Sequence, residues 1–148
     1  MSVLDRFRLD GRTALITGGS RGLGRAMAQS LAEVGADLIL VGRDTAPLEA
    51  ALAELTALGR RVTIIPGDVS TPAGAEAACD AALKLDRPID ILINNVGGRR
   101  VDLPLEETPL AEWQKLVDLN LTSAVVCCQK IGKPMLERKR GCVINVTS

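Results

Sequence analysis

The chain has no histidine and no tyrosine, and its only aromatic residues are Phe7 and Trp113. Without His no Ser-His-Asp triad can be built, and no imidazole is available to complete a zinc set. With so few rings the core must be aliphatic, as in layered proteins whose parallel strands are buried. Long apolar runs are missing too, so no segment approaches membrane-spanning length. The charged N-terminus (Asp5, Arg6, Arg8, Asp10) lacks the apolar core of a signal peptide. Formal charge balances to zero, which argues against a dedicated nucleic-acid binder. No two of the four cysteines, Cys79, Cys127, Cys128 and Cys142, form a CxxC pair. They read as buried free thiols of a reducing cytoplasm.

What is present is an alternation of short apolar runs and amphipathic stretches. Strands are expected at 13–17, 37–41, 62–66, 89–93 and 142–146, and helices at 22–34, 46–58, 72–85 and 109–138. Turn signals separate them at Gly35, Gly59, Pro66-Gly67, Pro88 and Gly141. The strands are nearly continuous in apolar residues, which suits strands covered on both faces. The order implies one α/β domain over residues 1–148, a doubly wound parallel sheet that stops after the fifth strand. Ligands of such sheets bind beyond the carboxyl ends of the strands. That rule points to Gly18–Gly24, Gly42–Asp44, Gly67–Ser70, Asn94–Arg100 and Thr147–Ser148, where glycines and polar residues gather.

The strongest local signal is Thr17-Gly18-Gly19-Ser20-Arg21-Gly22-Leu23-Gly24. It joins an apolar strand to a helix, where glycines permit close backbone approach and the helix N-terminus favours a phosphate. The spacing is TGxxxGxG rather than the GxGxxG of the long dinucleotide fingerprint. After the second strand comes Arg43-Asp44, where a basic residue suits a ribose 2′-phosphate and an acid suits the 2′-hydroxyl. The bland alternative is a solvated Arg43 and an Asp44 that caps the next helix. Asp68-Val69 after the third strand offers a carboxylate to the exocyclic amine of a base, or caps the next helix, for which Ser70 or Thr71 is better placed. In Asn94-Asn95-Val96-Gly97-Gly98 after the fourth, two amides and two glycines let the backbone turn over a ligand while the amides tie strands together, or form a purely structural turn. Asn120, a poor helix former inside a helix, hints at a polar task. Ser148 follows the last strand as a candidate hydroxyl beside a substrate. Arg99 and Arg100 face an anion or simply solvent, and Trp113 reads as a packing residue.

Taken together, TGGSRGLG, Asp68-Val69, NNVG, Asn120 and INVTS resemble the short-chain dehydrogenase/reductase family, from about Leu9 to Ser148. The resemblance implies a Rossmann fold. It implies that Gly18, Gly22 and Gly24 form the dinucleotide loop, with Ser20, Arg21 and Leu23 against the phosphates. It makes Arg43 a determinant of NADP preference, with NAD the alternative, and sets Asp68 and Val69 beside the adenine. Asn94, Val96 and Gly97 run toward the nicotinamide ribose, with Val96 in place of the usual Ala. Asn120 holds a water of the proton relay, and Ser148 bonds the substrate carbonyl or hydroxyl.

The family's Tyr-Lys pair, about a dozen residues past that Ser, is not in these residues. The chain therefore reads as the N-terminal, cofactor-binding part of a longer NADP-dependent oxidoreductase. Its segments look most like those of gluconate 5-dehydrogenases and 3-oxoacyl carrier-protein reductases. The implied partners are a small-molecule substrate and a second copy of the chain through the helix at 109–138. Nucleic acid, membrane and metal are not among them. The alternatives are a nucleotide-binding module without chemistry and, less consistent with the Ser-Arg of the loop, an S-adenosylmethionine-dependent transferase.

Overall fold

The computed structural model describes residues 2–98 and 102–147. Five parallel strands, β1 (Thr13–Thr17), β2 (Asp37–Gly42), β3 (Val62–Pro66), β4 (Ile91–Asn94) and β5 (Cys142–Asn145), lie in the order β3-β2-β1-β4-β5. The chain moves outward from β1 through β2 to β3, then returns to lay β4 on β1's other side. The strand order thus reverses between β1 and β4, which opens a crevice above their carboxyl ends.

Alternation along the strands sends side chains to two aliphatic cores. On one face Ala14, Ile16, Leu38, Leu40 and Ile93 pack under helices α1 (Gly22–Glu33) and α2 (Thr45–Thr56). On the other, Leu15, Ile39, Val41 and Leu92 meet α3 (Pro72–Leu83) and α5 (Ser123–Glu137). Alanines bring the helices close to the sheet: Ala28, Ala32 and Ala51 on one side, Ala75, Ala78 and Ala82 on the other. Every residue of β1 is buried, as expected for the central strand of a doubly wound sheet.

Several expectations are corrected. The fourth strand starts at Ile91 rather than Ile89. Asp90 precedes it as an anchor, accepting from Thr13 N at 3.2 Å and facing Arg12 and Arg140 at 3.5 and 3.4 Å. The helix expected over 109–138 is divided. Helix α4 (Leu110–Val117) passes into a π turn, Asp118–Thr122, before α5 continues. Among the described residues strand β5 pairs with β4 alone and is exposed along its length, not covered on both faces. Cys142 on it is therefore exposed, while Cys79 and Cys127 are buried and Cys128 half-buried. Trp113 is 51% exposed on α4, so it does not pack into the core.

Candidate nucleotide-binding site

Thr17 ends β1 with its side chain buried and directed across the crevice. Its hydroxyl accepts from the backbone N–H of Asn95 at 3.0 Å and of Val96 at 3.2 Å. The Asn95 side chain returns the tie, Nδ2 donating to the Thr17 carbonyl at 3.1 Å and to that of Gly18 at 3.4 Å. One hydroxyl and one amide thus lock the turn after β4 against the turn after β1. The glycine turn is also held from the other side, Gly18 N and Gly19 N both donating to the Val41 carbonyl.

Within that frame the glycine spacing has a steric cause. Gly18 sits at φ +68°, where a side chain is strained. Gly24 is packed so closely that a Cβ there would run into the Gly18 carbonyl and lie 2.6 Å from Asn95 Nδ2. The first turn of α1 therefore lies directly under the loop. Arg21, its N-cap residue, contributes no side-chain cap. The helix start keeps its N–H groups available, as an anion cradle requires.

A groove of about 260 Å³ runs along the rim, and it collects most of the expected residues. Gly18, Ser20, Arg21, Arg43, Asp68, Val69, Val96 and Gly97 all line it. Gly22, Leu23 and Gly24 do not; they form the first turn of α1 behind the loop, with Leu23 58% exposed. Asn94 does not reach the groove either. It is buried in β4, where Nδ2 donates to Asn145 Oδ1 at 2.8 Å and to Cys128 Sγ at 3.4 Å. Its Oδ1 is buried without a partner. Ser148, Arg99 and Arg100 lie outside the described residues.

Asp68 does not cap α3; its Oδ1 accepts from Ser70 N at 3.0 Å, while Thr71 caps the helix by accepting from Gly74 N at 3.1 Å. Asn120 sits in the π turn and clasps Gly98 from both sides. Its Oδ1 accepts from Gly98 N at 2.8 Å and its Nδ2 donates to the Gly98 carbonyl at 2.9 Å. The same Nδ2 donates to the Leu116 carbonyl at 2.9 Å, so the side-chain amide is fully engaged as a donor.

Sequence reasoning gave the Asn amides a tying role, which Asn95 fills, but it passed over Thr17 as their counterpart and gave no place to Leu119, which also lines the groove. A polar residue at the carboxyl end of an all-apolar strand was the available signal for Thr17. At the mouth, Asp44 faces Arg21 at 3.6 Å, both exposed. Arg43 is exposed and has no ion pair among the described residues.

This arrangement is shared with known proteins. The short chain dehydrogenase family matches residues 12–148. The chain belongs to that family. It is 36% identical over 151 residues to gluconate 5-dehydrogenase of Gluconobacter oxydans, covering all of this chain and 57% of that protein. It is 39% identical over 147 residues to a rhamnolipid-biosynthesis 3-oxoacyl-[acyl-carrier-protein] reductase of Pseudomonas aeruginosa, covering 96% of this chain and 56% of that one. The Pseudomonas aeruginosa RhlG/NADP active-site complex superposes with a TM-score of 0.84 at 39% identity, over 96% of this chain and 56% of that one. The chain thus spans a little over half the length of the relatives it matches. Among its described residues no group of His, Cys, Asp or Glu is placed to hold a metal ion. None of its described helices is long and apolar enough to cross a membrane.

Proposed function

We propose that this short-chain dehydrogenase binds NADP in the groove between β1 and β4, as part of an oxidoreductase acting on a carbonyl or secondary alcohol. The observation that carries the reading is the groove itself, lined by the glycine loop with Ser20 and Arg21, by Arg43 after β2, and by the turns after β3 and β4. The residues fit a dinucleotide: Gly18 and Gly22 take positive φ in the loop, α1 starts without a side-chain cap, and Ser20, Arg21 and Arg43 line the same groove.

In this proposal the N–H groups at the start of α1 hold the pyrophosphate, with Ser20 beside them. Arg43 and Arg21 face the ribose 2′-phosphate. Asp68 and Val69 flank the adenine, and the backbone of Val96 and Gly97 supports the nicotinamide ribose. When bound, the cofactor gives or takes a hydride at its nicotinamide ring. Ser148 bonds the substrate oxygen and stabilises the charge that grows on it. Asn120 acts as a positioning residue, holding Gly98 and the floor of the site. Its two Nδ2 hydrogens are committed to backbone partners, so it holds the water of a proton relay as an acceptor. No Tyr or His occurs in these 148 residues, and Ser148 alone is too weak an acid to supply the alcohol proton at neutral pH. The substrate is a sugar acid, a polyol or a 3-oxoacyl thioester, and the setting is the cytoplasm.

The test is a fluorescence titration of NADPH and NADH against the wild type and Arg43→Ala. A charge-assisted contact predicts NADPH tighter by about ten- to a hundredfold, and most of that preference lost in the variant. Equal wild-type affinities would remove the basis for the NADP assignment. NADPH oxidation with ketones, sugar acids or 3-oxoacyl thioesters, lost in Ser148→Ala, would support the oxidoreductase reading.

A further inference from the structure

We propose that Asp44 tunes the choice between a 2′-phosphate and a 2′-hydroxyl by acting as the displaceable counter-ion of Arg21. The inference rests on the nucleotide reading above and names a residue that reading leaves without a part.

Asp44 occupies the N-cap position of α2, yet its side chain makes no cap hydrogen bond. Local sequence explains why. An N-cap carboxylate ordinarily accepts from the third helical residue or the second. Here the third is Pro47, which has no N–H. One of its two usual partners is missing, and the carboxylate turns to the guanidinium of Arg21 across the mouth of the groove. The contact, Nη1 to Oδ2 at 3.6 Å, is beyond hydrogen-bond reach, and the side chains remain 67% and 57% exposed. Such a pair is held by charge alone and is readily exchanged. Arg43, adjacent in sequence, lines the same groove with no counter-ion of its own among the described residues. The groove is therefore lined by two cations, Arg21 and Arg43, and by the carboxylates of Asp44 and Asp68, of which Asp44 is the one paired with Arg21.

A 2′-phosphate entering between Arg21 and Arg43 meets the second cation half-neutralised and must displace Asp44. A 2′-hydroxyl carries no charge and has no such exchange to make. Asp44 thus lowers the affinity for the phosphorylated ribose while leaving the unphosphorylated one nearly unaffected. Its effect passes through Arg21, which sets it apart from an acid that accepts the ribose hydroxyls directly.

The experiment uses adenosine 2′,5′-bisphosphate and 5′-AMP as probes, which need neither nicotinamide nor substrate. Isothermal titration of the wild type, Asp44→Asn, Arg21→Gln and the double variant gives eight affinities. The bisphosphate is expected to bind Asp44→Asn about three- to tenfold more tightly than wild type at low salt. AMP should change by less than about twofold, and the bisphosphate gain should shrink to below about twofold in the Arg21→Gln background. An unchanged or weakened bisphosphate affinity in Asp44→Asn would overturn the proposal. So would an undiminished gain without Arg21, which would mean direct repulsion of the phosphate. A selective loss of AMP binding would overturn it as well, by making Asp44 a ribose acceptor. If the wild type bound neither probe, the nucleotide site itself would fall. Failure of the counter-ion role alone leaves the wild-type affinities intact.

Discussion

Gly24 and Asn95 show how few atoms decide this site. The carboxamide of Asn95 reaches two carbonyls of the glycine turn, and Gly24 leaves just enough space for both. Adding one methyl at Gly24→Ala should therefore push the loop off α1. The expected outcome is a loss of about 1–3 kcal/mol in urea unfolding, with NADPH affinity falling alongside. The four thiols offer a second test at this scale. Contact with Cys127 and then burial push the Cys79 thiol far above its ordinary value, while the same contact pulls Cys127 down against burial. Both are almost wholly enclosed, so neither presents a thiolate to solvent. A maleimide at neutral pH should label Cys142 promptly and Cys79 and Cys127 only after denaturation, counted by mass spectrometry. The candidate residues were legible at this scale wherever chemistry demanded an unusual residue type, as with Gly18 or Arg43. Thr17 escaped because its importance lies in what it bonds, and Asp44, read as a ribose acceptor or a helix cap, escaped only as the partner of Arg21.

At the level of elements, the instructive case is the passage from α4 to α5. Apolar periodicity runs through it without a break, so one helix was the natural expectation. What divides it is a π turn, in which N–H groups reach back five residues rather than four. The Asn120 side chain donates to the Leu116 carbonyl four residues back, and it clasps Gly98 besides. Periodicity cannot register one extra residue in a turn, but a lone Asn among apolar helical positions did mark the place. Asn120→Ala removes three hydrogen bonds at once and should cost about 1–3 kcal/mol by urea denaturation. Asn120→Asp keeps the acceptor for Gly98 N and loses both donors, so it should fall between wild type and Ala. Equal stability of all three proteins would show that the clasp is incidental. Strand boundaries were read to within two residues because the parallel strands are uniformly apolar. The exposure of β5 was not legible, since its sequence is as apolar as that of the buried strands.

For the molecule as a whole, the doubly wound order was readable from the alternation of elements, but which strand lies beside β1 was not. That depends on pairing between distant segments. The outer side of the stretch from α4 to α5 exposes Leu110 and Trp113, Leu121 in the π turn, and Val125 and Leu136. Self-association through this face is expected in sedimentation experiments, and Trp113→Glu with Leu121→Glu should shift the population toward monomer. A monomeric wild type at micromolar concentration would count against it. Ligand linkage provides a further check: NADPH at about a hundred times its Kd should raise stability by about 2.7 kcal/mol, seen as a higher Tm. The return from β3 to β4 has a kinetic consequence. Thr13 and Asp90, whose contact joins the two halves of the sheet, are separated by 77 positions. Closing so long a span costs chain entropy before any strand pairing rewards it. Refolding should therefore proceed on the slow scale of non-local topologies, roughly milliseconds to seconds, with the β1–β2–β3 half free to assemble while β4 is still searching for its edge.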